Sequence, residues 1–186
     1  MSARPLRADA QRNRDRLIET AVQAFSHDGP DVTLDSIAKT AGVGIGTLYR
    51  HFPTREALIE AAYRNELEKL TSAAPELLKT MAPDQALRTW MDHFVAYMTT
   101  KRGMGDALKA LIASGGDPFA RSRELITNAL GRLLDATVNA GQTRPDINVE
   151  DIFMGIAGIS MVSESGTPEQ AGRLLDLLMD GLRYHP

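Results

Sequence analysis

The segment Thr33-Leu34-Asp35-Ser36-Ile37-Ala38-Lys39-Thr40-Ala41-Gly42-Val43-Gly44-Ile45-Gly46-Thr47-Leu48-Tyr49-Arg50-His51-Phe52 limits what this chain can fold into more than any other part of it. It holds two helical patterns, each too short to be stable alone, on either side of a glycine. Thr33 is a good N-cap for a helix over Leu34 to Ala41. Gly42 closes that helix by supplying the positive φ that reverses the chain. A second short helix follows from about Ile45 to His51. For the two to pack across so tight a turn, Ile37 and Ala38 must face inward, Ala38 being small enough to admit the second helix. Val43 plugs the turn, and Leu48 and Phe52, four residues apart, anchor the second helix from beneath. Ile45, Gly46, Thr47 and Tyr49 are left facing outward. This is the arrangement of a helix-turn-helix, whose second helix lies in the DNA major groove.

The flanking sequence is helical as well. Leu17, Ala21 and Phe25, with Ile18 and Val22, form an apolar stripe that His27-Asp28-Gly29-Pro30 ends. Pro53-Thr54 opens a long helix carrying Leu58, Ala62, Leu67 and Leu70. Pro83 starts a further helix, Gly103 and Gly105 bracket a break, and Ala107 to Ala113 forms a short apolar helix. Asp117 as N-cap with Pro118 at the first helical position restarts the chain, which then runs through Ile126, Leu130 and Leu133. Gly141 to Ile147 is a loop, Asn148 and Asp151 resemble a capping box, and Thr167-Pro168-Glu169-Gln170 opens the last helix. No segment shows strand alternation. The expected fold is all-α with about nine helices: a three-helix head at 10–55, joined by a long fourth helix to a helical domain at 56–186.

Charge follows the same division. The net charge of −3 argues, if anything, against nucleic acid. Residues 1–55, however, carry eight Arg/Lys against six Asp/Glu, so a mildly basic end sits on an acidic body. With no cysteine, disulfides, thiolate metal sites and cysteine catalysis are excluded. His27, His51, His93 and His185 lack metal-ligand spacing, so neither metal nor cofactor is expected. No glycine-rich phosphate loop or Ser/His/Asp arrangement suggests an enzyme. The start is polar and arginine-rich rather than signal-like, and no run approaches the roughly 20 apolar residues of a membrane helix. A cytoplasmic protein is expected.

From Arg14 to about Arg64 the chain closely resembles the TetR family of bacterial transcriptional regulators. The likeness rests on Thr-x-x-x-Ile-Ala-x-x-Ala-Gly-Val from Thr33, then Gly-Thr-Leu-Tyr-x-His-Phe from Gly46, then Arg-Glu-x-Leu from Arg55. The resemblance implies that Thr33, Tyr49, His51 and Arg55 contact DNA phosphates, and that Gly44, Ile45, Gly46 and Thr47 meet base edges or the nearby backbone. The sequence departs from many relatives in lacking a polar residue at Gly44. No Asn, Gln or Arg stands at 44–47 to make a bidentate base contact. Selectivity is then left to Ile45 or Thr47 against thymine methyls, close approach at the glycines, Arg50, and DNA shape. Arg4, Arg7 and Arg12 suit either a minor-groove arm or a solvated tail.

The resemblance also implies a homodimer and a small-molecule effector held by the C-terminal domain. Ile152 to Val162 is apolar or small on every side, and the last helix has a stripe too wide for one contact. Phe153, Ile156, Ile159, Ser160, Leu174, Leu175, Leu178 and Leu182 are therefore expected at a dimer interface, a deeply buried core helix being the alternative. Candidate pocket residues are Trp90, His93, Phe94, Tyr97, Met98, Met104, Leu108, Phe119, Leu125 and Met154, with His93 as polar handle. Each suits plain core packing equally. The expected function is a dimeric, double-stranded-DNA-binding repressor released from its operator by a small apolar or aromatic ligand. The alternative is a DNA-binding regulator without a small effector, acting as an activator or through a protein partner.

Overall fold

A computed structural model of the chain describes residues 3–28, 31–162 and 168–183. Among the described residues the chain is all-α, with nine helices and no strand. They are α1 (Ala3–His27), α2 (Leu34–Thr40), α3 (Ile45–His51), α4 (Arg55–Thr80), α5 (Pro83–Gly103), α6 (Gly105–Ala113), α7 (Ser122–Asn139), α8 (Val149–Val162) and α9 (Pro168–Leu182). None is long and apolar enough to cross a membrane. Gly29, Pro30, Thr167 and His185 lie outside the described residues, as do the side chains of Arg4 and Arg7.

The chain forms two compact units, Met1–Glu66 with Thr100–Pro118, and Leu67–Thr99 with Phe119–Pro186. The division falls inside α4 and α5 rather than at residue 55, and it groups α6 with the head. In the first unit α1 packs on α2 and α3. Its apolar stripe of Leu17, Ile18, Ala21, Val22 and Phe25 is buried, as are Ile37, Ala38, Leu48 and Phe52 facing it. Each fully buried side chain of the Leu or Phe class contributes about 1.5–3 kcal/mol. The break between Gly103 and Gly105 is where the glycines suggested: α5 ends at Gly103, Met104 is a turn, and α6 starts at Gly105. A Cβ at Gly103 would meet the Ser26 carbonyl oxygen at 2.7 Å, so this glycine serves close approach of two helices within the unit.

In the second unit the core is built from larger pieces. Trp90 is fully buried and its indole Nε1 donates to the Leu70 carbonyl at 2.9 Å, satisfying the ring's one polar group. Phe94 lies 6.0 Å from Trp90, centroid to centroid, and meets Phe153 edge-on at 5.9 Å. Arg88 on α5 reaches across to α9, donating to Asp176 at 2.7 Å and to the Gly172 carbonyl at 3.3 Å. Burial alone would lower the Arg88 pKa, but hydrogen bonds to Asp92 and Asp176 and their charges outweigh it and raise it. The loop after α7 is tied down: Gly141 takes a φ of 69°, Thr143 bridges to Arg183, and the Arg144 amide donates to Leu182.

Two local expectations are corrected. Helix α7 begins at Ser122 rather than Pro118, because residues 118–121 form a turn in which the Ser122 amide donates to Phe119. At the N-terminus, α1 is already helical at Ala3, so the arginine-rich start continues the first helix instead of forming an extended arm or coil.

Candidate nucleic-acid interface

Backbone devices set the turn between α2 and α3. The Thr33 hydroxyl oxygen accepts from the Ser36 amide at 3.1 Å, and the Ser36 hydroxyl donates back to the Thr33 carbonyl at 2.8 Å. At the other end of α2, Gly42 has a φ of 68°. Its amide donates to Lys39 and that of Val43 to Ala38, a paired closure that needs a left-handed residue between. Extended backbone at Gly44 then starts α3, with no side chain capping it. Leu48 and Phe52 hold α3 from beneath while Ile45, Tyr49 and Arg50 stand exposed on the outer side. Gly44 and Gly46 flank Ile45 there, Thr47 is half-buried, and His51 is half-buried with its ring 6.2 Å from Phe52.

Two arginines fasten this face to the rest of the unit. Arg14 of α1 stacks over the Phe52 ring at 5.3 Å, clamping the end of α3. Arg55 lies over Phe25 at 5.0 Å and donates to the Val32 carbonyl at 2.6 Å. The resemblance assigns Arg55 to a phosphate; in the structure its half-buried guanidinium bonds the residue preceding the Thr33 cap, and so positions the start of α2. Neither contact was visible in the sequence, because Arg14 stands 38 positions from Phe52 and Arg55 stands 23 and 30 positions from Val32 and Phe25.

The remaining candidates divide differently. Trp90, Phe94 and Tyr97 do come together, Tyr97 6.3 Å from Phe94, but as buried core. Met98, Phe119 and Leu125 are half-buried, while His93 is exposed and Met154 is 59% exposed. Met104 and Leu108 are buried within the first unit. Of the interface candidates, Ile156, Ser160, Leu175 and Leu182 are buried inside the chain itself. Phe153 is taken up by Phe94 and by Arg123, whose guanidinium sits 5.3 Å above its ring. Ile159, Leu174 and Leu178 are half-buried. The large apolar side chains that α8 and α9 leave in water are instead Met154, Met161, Val162 and Leu177.

Comparison with known proteins agrees with this geometry. Residues 17–62 match the model for bacterial regulatory proteins of the tetR family. Residues 82–184, more than half of the chain, match the C-terminal domain of SbtR-like transcriptional regulators. The crystal structure of the TetR transcriptional regulator SCO0520 from Streptomyces coelicolor is 52% identical. The alignment covers 93% of this chain and 99% of that one, with a TM-score of 0.86. A TetR transcription regulatory protein from Mycobacterium vanbaalenii is 36% identical, covering 97% and 100% at a TM-score of 0.80. The HTH-type transcriptional regulator SAUSA300_2515 of Staphylococcus aureus (strain USA300) is 38% identical over 64 residues, 34% of this chain and 35% of that protein. The chain thus spans about a third of the length of the curated relatives it matches. With a helix-turn-helix at 33–52 and both family models matched, the chain belongs to the TetR family of bacterial transcriptional regulators.

Proposed function

We propose that the chain is a homodimeric repressor, acting in the cytoplasm, that leaves its operator when a small apolar or aromatic ligand binds. One observation carries the dimer. On α8 and α9, Met154, Met161, Val162 and Leu177 are 59%, 67%, 39% and 67% exposed, too much apolar surface on two adjoining helices for a chain that works alone. A Cβ at Gly158 would meet nothing within 4 Å, so a partner helix has room to approach. Two heads related by a two-fold axis would then read the half-sites of a pseudo-palindrome. Repression, as opposed to activation, is what membership of the family suggests. Release requires a ligand with higher affinity for a body conformation that separates the heads wrongly for DNA. The test is a mobility-shift titration with the DNA upstream of the protein's own gene. A salt-sensitive shift is expected, and no specific shift there or at any selected site would sink the proposal.

A second reading drops the small ligand and leaves an activator or a regulator controlled by a protein partner. It is favoured by how well the aromatic cluster is filled. Trp90 has its hydrogen bond, and Phe94 is packed among Trp90, Tyr97 and Phe153. Thermal-shift screening against a metabolite library separates the two readings, since a ligand that binds the native state raises its melting temperature.

A further inference from the structure

We propose that the groove between the start of α5 and the end of α9 binds a small organic cation, a protonated amine carried on an apolar body. The inference goes beyond the repressor reading. None of Trp90, Phe94 and Tyr97 lines this groove, so it stands with or without an effector in the aromatic core. The groove has a volume of about 510 Å³, within the range of small-molecule sites.

Its charges do not balance. Asp84, Asp176 and Asp180 face it against Arg88 and Arg183, one negative charge in excess. Both arginines are already engaged. Arg88 commits Nε to Asp176, Nη1 to Asp92 and Nη2 to the Gly172 carbonyl, and Arg183 pairs with Asp180 at 3.0 Å. Asp84 has no basic partner among the described residues. Its Oδ1 accepts from the Gln85 amide at 2.9 Å and from Gln142 Nε2 at 3.4 Å, as suits an acid in the first turn of a helix. Its Oδ2 accepts from none of the described residues, although Asp84 is half-buried. A carboxylate drawn partly out of water favours an opposite charge or a full set of donors. The helix start uses one oxygen and leaves the other for the N–H of a ligand.

The apolar part of the lining decides what kind of cation fits. Met81 is 41% exposed and Met179 is half-buried, and both line the groove. Flexible, polarisable thioethers adapt to apolar bodies of varied outline. A hard metal ion takes six or more oxygens and gains nothing from such a wall. An amine on a hydrocarbon chain uses both halves of the site.

Full-length protein labelled at its methionine methyls is titrated with hexylammonium, hexanoate and hexanol, which share a chain and differ in charge. The Met81 and Met179 signals, identified through Met81→Leu and Met179→Leu, are expected to shift saturably with hexylammonium. Hexanoate and hexanol are expected to bind about tenfold more weakly or worse, the worth of one charge-assisted hydrogen bond. Asp84→Asn keeps an oxygen for the helix start and is expected to lose about tenfold in hexylammonium affinity at an unchanged melting temperature. Asp106→Asn removes an exposed carboxylate paired with Lys109 and is expected to lose nothing. Met81 and Met179 signals that do not move with hexylammonium, an equal response to hexanoate or hexanol, or parent affinity in Asp84→Asn overturns the proposal. The three-probe comparison on the parent decides the matter should Asp84→Asn melt lower. None of these outcomes bears on operator binding, which the mobility shift reads separately.

Discussion

The head and the body of this protein bury apolar helix faces by different means. In the head, α2 and α3 have seven residues each and cannot be held by side-chain area alone. Their geometry comes from the backbone: the Thr33–Ser36 cap, the left-handed Gly42 and the double closure behind it. In the body, α5 has 21 residues and α7 has 18, and their placement comes from large side chains and long-range polar ties. Trp90 on Leu70, Phe94 on Phe153, Arg88 on Asp176 and Arg123 on Glu150 are of this kind. A region that must present a fixed edge to a rigid partner is thus built from local rules. The body is built from packing and long-range polar ties.

That contrast can be broken most directly at Trp90. Trp90→Ala is expected to destabilise the protein by about 3–5 kcal/mol, read from urea unfolding; a loss near that of a surface substitution would mean the body is not held by its aromatic core. Next comes the exposed apolar face. Met161→Asp with Leu177→Asp is expected to give a monomer in sedimentation velocity and to weaken operator binding on the order of a hundredfold, about 2.7 kcal/mol. A dimer that survives both changes would move the interface elsewhere. In the head, Gly42→Ala places a side chain in the left-handed region and is expected to cost roughly 1–2 kcal/mol, with the melting temperature falling accordingly. The smallest effect is expected at Thr33→Ala. Loss of that cap costs about 1 kcal/mol, and restoring it with Asp or Ser should recover most of the difference in the same melt.

Much of the fold was legible. Thr33, Gly42 and the Leu48–Phe52 pair act through neighbours three to five residues away, so pattern alone located α2, the turn and α3. The start of α7 was misplaced, since Asp117-Pro118 signals a helix start as strongly as it signals the turn that forms there. Gly103 and Gly105 did mark the break between α5 and α6, but a single sequence does not reveal that Ser26 lies against Gly103. The same limit explains the interface candidates. The apolar width of α8 and α9 marked helices with more apolar surface than one face can bury, but which residues face inward depends on neighbours distant in the chain. Ile156, Ser160, Leu175 and Leu182 turned in, and Met161 and Leu177 turned out.

What the sequence determined by itself was the all-α class, the helix-turn-helix and the family, because capping, chain reversal and helical periodicity are short-range and act the same way in any context. What only the tertiary structure decided was the use of each long-range side chain: Arg55 holding Val32 and Phe25, Arg14 covering Phe52, and Phe94 packed on Phe153. Such roles depend on distances between residues far apart in the chain. Those distances are set by the packing of the whole unit and have no signature in the local order of residues.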